Sequence, residues 1–276
     1  MNVTKPEAVP VMPAASAVIL RNGLAGIEAF MVVRHHQIDF ASGALVFPGG
    51  KVELEDKNEI WRRSISPTGS EPDLSFWIAA IRETFEEAGL LLARWQDDPK
   101  LLGAEETSII VGRHRHALID GKISFSELLE QEKLRPALDL MEHFAHWITP
   151  PGPPRRFDTH FFIIAAPVEQ TGAHDGLEAI EGLWIAPSQA IRDADAGHRI
   201  LLPPTRLNLQ KLAQFPSVQA AVEATRLSRV VTVLPRVERV EGGRRLMLPI
   251  EAGYGVSELF IRLPEPVGIR APIAAL

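Results

Sequence analysis

The 276 residues include no cysteine. This excludes disulfides, a thiol nucleophile, cysteine-ligated zinc and iron–sulfur clusters, and it leaves oxygen or imidazole ligands for any metal. It also fits a reducing, cytoplasmic location. Long apolar runs are lacking too: no stretch reaches the roughly 18 residues of a membrane helix. The opening MNVTKPEAVPVMPAASAVIL has no basic segment leading into an apolar run, so neither secretion nor a membrane partner is expected. Positive charge is in the minority, with 29 Lys and Arg against 35 Asp and Glu and a net charge of −6, which argues against a nucleic-acid partner. What is present, 46% hydrophobic and 23% charged residues, is the composition of a folded chain. The length suits one elaborated α/β domain over 1–276.

The pattern starts with strands. Residues 14–36 read as a hairpin turning at Asn22-Gly23, and Ala44-Leu45-Val46-Phe47 is a short apolar run stopped by Pro48-Gly49-Gly50, after which a loop is expected. Leu74, Ile78, Ile81, Phe85 and Ala88 recur at helical spacing, predicting an amphipathic helix over 74–92. Helices are expected over 104–118 and 124–134, the second opened by a Ser124/Glu127 capping box, together forming a helical insert at about 100–136. Met141–Thr149, Phe161–Val168 and Gly182–Ile185 read as strands. Helices follow at about 188–196 and 205–226, then a hairpin of Val230–Leu234 and Arg244–Pro249 around Glu241-Gly242-Gly243. The extension from about 228 could cover the core, form a dimer contact or close over a pocket. Its Gly253-Tyr254-Gly255 suggests only a turn.

On the helix at 74–92, Glu83, Glu86 and Glu87 stand at i, i+3 and i+4, so three carboxylates share one face. Like charges at that spacing destabilise a bare helix by a few tenths of a kcal/mol per pair, and a bound hard cation is the simplest compensation. Mg²⁺ or Mn²⁺ suits oxygen ligands of this kind. The alternative is a solvated acidic face.

Gly49-Gly50-Lys51-Val52-Glu53 and the run from Ala79-Ala80-Ile81-Arg82-Glu83 through Thr84-Phe85-Glu86-Glu87-Ala88-Gly89-Leu90 resemble the two halves of the Nudix box, G-x5-E-x7-R-E-U-x-E-E-x-G-U. Asp56 stands at the first glutamate position. Between the halves, at about 50–56 and 79–90, the chain carries eighteen extra residues, a loop-rich insertion whose closure cost grows only slowly with length. Gly43-Ala44-Leu45-Val46-Phe47-Pro48-Gly49-Gly50, Trp147-Ile148-Thr149-Pro150-Pro151-Gly152 and Arg155-Arg156-Phe157-Asp158-Thr159-His160-Phe161-Phe162 extend the resemblance to the Nudix subgroup with an interrupted box that includes the peroxisomal coenzyme A diphosphatase.

That resemblance implies an α/β/α sandwich around a mixed sheet and metal-assisted attack of water on a nucleoside diphosphate derivative. It maps Glu83, Glu86 and Glu87 onto metal ligands, with Gly50 offering a carbonyl. Arg82 would orient the carboxylates, and the general base is either a box glutamate or a later acid, for which Glu178 is the candidate. Glu53 either reaches the metal cluster or pairs with Arg82. The implied substrate is coenzyme A or acyl-coenzyme A. ADP-ribose, a nucleotide sugar or a dinucleotide are alternatives within the same chemistry, and a non-catalytic sensing module is an alternative outside it. Arg34, Arg155 and Arg156 are candidate phosphate contacts, against the default that one of the latter pairs with Asp158. His114, His116, His143 and His146 are not expected to form a zinc site, and Phe47, Trp147 and Phe157 are expected in the core. Assembly is left open, a homodimer being one form.

Overall fold

Alternation of side chains builds the centre. Strands β1 (Val11–Gly23) and β2 (Gly26–Arg34) pair antiparallel with Asn22 opposite Ile27 and Gly23 opposite Gly26. The turn is therefore Leu24-Ala25, two residues beyond the expected Asn22-Gly23. Strand β3 (Leu45–Val46) pairs with β2. The loop expected after Pro48 begins instead with β4 (Gly49–Lys51), which lies on β1 with Ser16 opposite Gly49 and Ala15 opposite Gly50. The protein is represented by a computed structural model describing residues 9–34, 43–63, 72–167 and 179–262, without the side chains of 62, 63, 179 and 180.

Helix α1 (Leu74–Ala88) starts at Asp73, whose carboxylate accepts from Ser75 N at 2.9 Å. It ends four residues before the expected 92 because Gly89 adopts φ 63°, a left-handed cap. Leu90, Leu91 and Leu92 then run fully buried into β5 (Ala93–Trp95). The helical insert is present as α2 (Ala104–Ile119) and α3 (Phe125–Gln131). Glu127 N donates to Ser124 Oγ at 3.1 Å and Ser124 N to Glu127 Oε2 at 2.8 Å, the expected capping box. Strand β6 (Leu134–Pro136) returns to β5.

Strands β7 (Glu142–Ile148), β8 (Arg156–Ala165) and β9 (Ala179–Ile185) lead to α4 (Pro187–Asp195). The single helix expected over 205–226 is two, α5 (Pro203–Leu212) and α6 (Val218–Leu227). Pro216 cannot donate to a continuing helix, and Ser217 caps the second one by accepting from Ala220 N. Thr232–Val233 forms β10, parallel to β7, rather than the first arm of the expected hairpin. That arm is β11 (Arg236–Val240), paired with β12 (Gly243–Met247), which also pairs with β13 (Glu258–Arg262) in a separate three-stranded sheet.

Among the described residues, eight strands form the main sheet, in the order β10-β7-β8-β1-β2-β3 with β4 on β1 and β9 on β2. It is mixed, β1 running parallel to β8 and antiparallel to β2 and β4. Both faces are covered. Ala15, Ala17, Ile19, Phe30 and Phe162 pack under α1 and the insert, while Val18, Leu20, Met31 and Ile163 pack under α4, α5, α6 and the C-terminal segment. Period-two strands buried on both faces in this way give the expected α/β/α sandwich.

Candidate active site

The site begins with one guanidinium. Arg82, 2% exposed, donates through Nε and NH2 to the two oxygens of Asp56 at 3.0 Å each. The same NH2 reaches Lys51 O at 2.9 Å, and NH1 reaches Glu83 Oε1 at 3.0 Å and Glu86 Oε1 at 3.1 Å. Such forked, charge-assisted bonds fix side-chain direction as well as charge. Burial alone would lower the Arg82 pKa, but the Asp56 hydrogen bond and the charges of Glu83, Asp56 and Glu86 outweigh it and raise it. Asp56 therefore takes the arginine that the sequence offered to Glu53. It is itself held by Glu53 N at 2.8 Å.

The loop and the helix meet closely. Gly49 N donates to Glu87 Oε2 at 2.8 Å. Gly49 has φ 156°, and a Cβ there would stand 2.2 Å from Ala15 O. A Cβ on Gly50 would stand 2.3 Å from Glu83 Oε1, so only glycine lets the loop backbone approach the carboxylates. Glu86 has its pKa raised, first by burial and further by the charges of Glu53 and Asp56, with Arg82 opposing. Several acids thus crowd around a shared arginine, a donor set of hard oxygens that fits a divalent cation.

Above these groups lies a cavity of about 820 Å³. Glu53, Glu83, Glu86 and Glu87 line it together with Gly50, Arg34 and Arg155. Arg34 Nε is buried and has no hydrogen-bond partner among the described residues. Arg156 is not among the lining residues; its guanidinium donates to Thr149 O at 3.0 Å and Val9 O at 3.2 Å. Glu178 lies outside the described residues. Phe47, Trp147 and Phe157 all line the cavity, the first two being buried as expected.

Three features escaped the sequence. Asp56 was placed by spacing, but its contact with Arg82 depends on the path of the loop. Val237, Arg244, Leu246 and Ile261 of the C-terminal sheet also line the cavity, and no local signal announces so distant a contact. The third is a histidine cluster. His146 Nε2 hydrogen-bonds Asp158, His146 Nδ1 meets Thr232 Oγ1 at 2.8 Å, and His160 Nδ1 meets His143 Nε2 at 2.9 Å. His146, Asp158 and His160 present ligand atoms within 4.8 Å of one another, a group able to hold a metal. No zinc site was expected at His143 and His146, yet the pairing of β8 with β7 brings Asp158 and His160 beside His146, a juxtaposition that sequence spacing does not show. Asp158 is thereby engaged by histidine rather than arginine.

A mixed sheet between helical layers, with a glycine corner pressed on an Arg-Glu-x-x-Glu-Glu helix, defines a Nudix domain. The match is more particular than the fold: the family described as NUDT19 Nudix domain covers residues 69–212, just over half of the chain. The chain belongs to that family. It is 24% identical over 243 residues to the acyl-coenzyme A diphosphatase NUDT19 of Xenopus laevis, covering 72% of this chain and 63% of that protein. Its identity to the Gallus gallus protein of the same name is 28% over 262 residues, covering 77% and 69%. The chain thus spans less than two thirds of the frog relative's length. The crystal structure of a NUDIX hydrolase from Alicyclobacillus acidocaldarius superimposes with a TM-score of 0.66 at 27% identity, over 78% of this chain and 96% of that one.

Proposed function

We propose that this chain is a metal-dependent diphosphatase that cleaves coenzyme A or acyl-coenzyme A into 3′,5′-ADP and a 4′-phosphopantetheine product. The observation carrying the chemistry is the convergence of Glu83 and Glu87 on the Gly49-Gly50 backbone, with Glu86 held beside them by Arg82, at a cavity that also takes in Arg34 and Arg155. The names of the frog and chicken relatives support the substrate class.

In this reading Glu83, Glu86 and Glu87, with the Gly50 carbonyl, hold Mg²⁺ or Mn²⁺. A cation held there would supply neutralisation of the diphosphate charge and a water acidic enough to attack. Arg82 aims Glu83 and Glu86 through its NH1 hydrogen bonds and opposes the upward pull of burial on the Glu86 pKa. Arg34 and Arg155 pair with phosphate oxygens; Arg34 Nε, which has no partner among the described residues, is a donor for which an anion is the natural partner. Water adds at one phosphorus, the anhydride P–O bond breaks, and the water's proton passes to a carboxylate. Glu83 and Glu178 are the two candidates for that acceptor, and single Gln variants separate them.

The test is mass spectrometry of products after the protein, with Mg²⁺ or Mn²⁺, meets coenzyme A, acyl-coenzyme A, ADP-ribose, nucleotide sugars and dinucleotides. Release of 3′,5′-ADP, lost in Glu86→Gln, is the expected result. Cleavage of another substrate alone would overturn the substrate, and no metal-dependent cleavage of any would overturn the enzyme.

A further inference from the structure

The three-stranded sheet β11-β12-β13 hydrogen-bonds to no strand of the main sheet among the described residues, and it lies beyond the 69–212 span that matches the family. Its register sorts its side chains. Val237 stands opposite Leu246 and Arg244 opposite Ile261. Directly paired residues share a face and alternate residues keep it, so Val237, Arg244, Leu246 and Ile261 all belong to one face. These same four residues line the cavity. The opposite face carries Arg236, Glu238, Arg245 and Glu258, joined by Arg236–Glu238 and Arg245–Glu258 ion pairs, and reads as the solvent side.

Three of the four cavity-lining residues of this sheet, Val237, Leu246 and Ile261, are apolar, while Arg244 and, opposite it, Arg239 put charge on the same face. Val237 is 37% exposed, and Ile261, although it packs against the second core, is only partly buried, so part of the apolar surface of this face is left open towards the cavity. Ile148 at the end of β7 and Pro150, Pro151 and Pro153 of the β7–β8 connection continue the apolar lining. The sheet is anchored rather than loosely apposed: Leu246, Leu248 and Tyr254 are buried in the second core. A diphosphate and its cation have no use for such a wall. An extended apolar group attached to one phosphate does.

We propose that the cavity face of the C-terminal sheet, Val237, Leu246 and Ile261, is a subsite for the apolar arm of the substrate's leaving group. Resting on the reading of the substrate given above, it assigns to this sheet the acyl end of an acyl-pantetheine chain, so that preference rises with acyl length. Arg244, beside Ile261 on the same face, keeps the wall's edge suited to an anionic or polar part of the same ligand.

The experiment measures kcat/KM for free coenzyme A and for short-, medium- and long-chain acyl-coenzyme A, in the wild type and in Val237→Asp and Ile261→Asp, whose side chains are not fully buried. Circular dichroism and thermal melts report folding. The wild type should favour the longer acyl chains. In each variant the ratio of long-chain acyl-coenzyme A to free coenzyme A should fall by roughly tenfold, the scale on which apolar pockets discriminate. Val237→Trp, which fills the subsite without charge, should shorten the longest chain accepted. Ratios unchanged in all three folded variants overturn the subsite. If the wild type cuts free coenzyme A and acyl-coenzyme A at equal kcat/KM, the subsite fails while the substrate reading stands. If it cuts neither but cleaves ADP-ribose or a dinucleotide, the substrate reading itself has failed.

Discussion

Arg82 ties the loop half of the box to the helix half through a fork that lysine cannot reproduce. Arg82→Lys should lower turnover by about 10- to 100-fold, because Asp56 and Glu86 lose fixed partners, and steady-state kinetics at saturating metal would show it. Gly50→Ala separates geometry from stability. The added methyl meets the flexible end of Glu83, so the melting temperature should change little, while a carboxylate pushed aside by about 1 Å should cost on the order of 100-fold in kcat. The histidine cluster gives a pH dependence. Burial, then the charge of His146, pushes His143 down to about 4, and burial with both neighbours pushes His160 down to about 2. Their unfolded forms take up protons near pH 6.5. The folded state then binds fewer protons than the unfolded one, and stability is lost as pH falls from about 6.5 to 4, by up to about 1.4 kcal/mol per pH unit for each histidine. Urea denaturation at pH 7 and pH 5 measures this, and His160→Asn should flatten it. The three box glutamates were legible because helical spacing alone sets them on one face. Arg34 and Arg155 were legible as cations, but their meeting in one cavity was not, since strand pairing between distant segments brings them together.

The helical insert is more than decoration on the box helix. Arg115 of α2 donates to Glu86 O at 2.9 Å, bracing the last turn of α1 where the carboxylates sit. Glu55, in the short turn after the box loop, accepts from Phe125 N at 3.2 Å and Ser126 N at 2.8 Å at the start of α3. Trp61 packs near Phe125, with ring centroids 6.0 Å apart. Glu55→Ala should cost about 1 kcal/mol, the usual worth of a helix cap, read as a lower midpoint in chemical denaturation. The Ser124/Glu127 box was legible because both partners lie three residues apart. The Glu55 contact was not, as it joins residues far apart in sequence. The break between α5 and α6 was in principle legible in Pro216 and Ser217, but the apolar periodicity runs across it and outweighs a single proline. The end of α1 at Gly89 was missed for a similar reason: three leucines follow it and look helical, although they are buried in an extended run.

At the scale of the molecule, the lone tyrosine holds the C-terminal segment in place. Trp147 Nε1 donates to Tyr254 OH at 2.8 Å, and that hydroxyl donates to Asn208 Oδ1 at 2.7 Å. All three side chains are buried. Tyr254→Phe leaves two buried polar groups without their partner and should cost about 1–3 kcal/mol, a drop of several degrees in the thermal midpoint. The sandwich class came from the resemblance to the Nudix box, whereas Gly253-Tyr254-Gly255 spoke only of a turn, because a hydroxyl's partners depend on tertiary packing. The central position of β1 has a kinetic consequence. Its neighbours β2 and β4 follow at once, but β8 comes from the second half of the chain. Contacts so distant in sequence slow folding. During synthesis β1 waits with one edge unpaired until β8 has emerged, so the nascent chain is most exposed to aggregation in that interval.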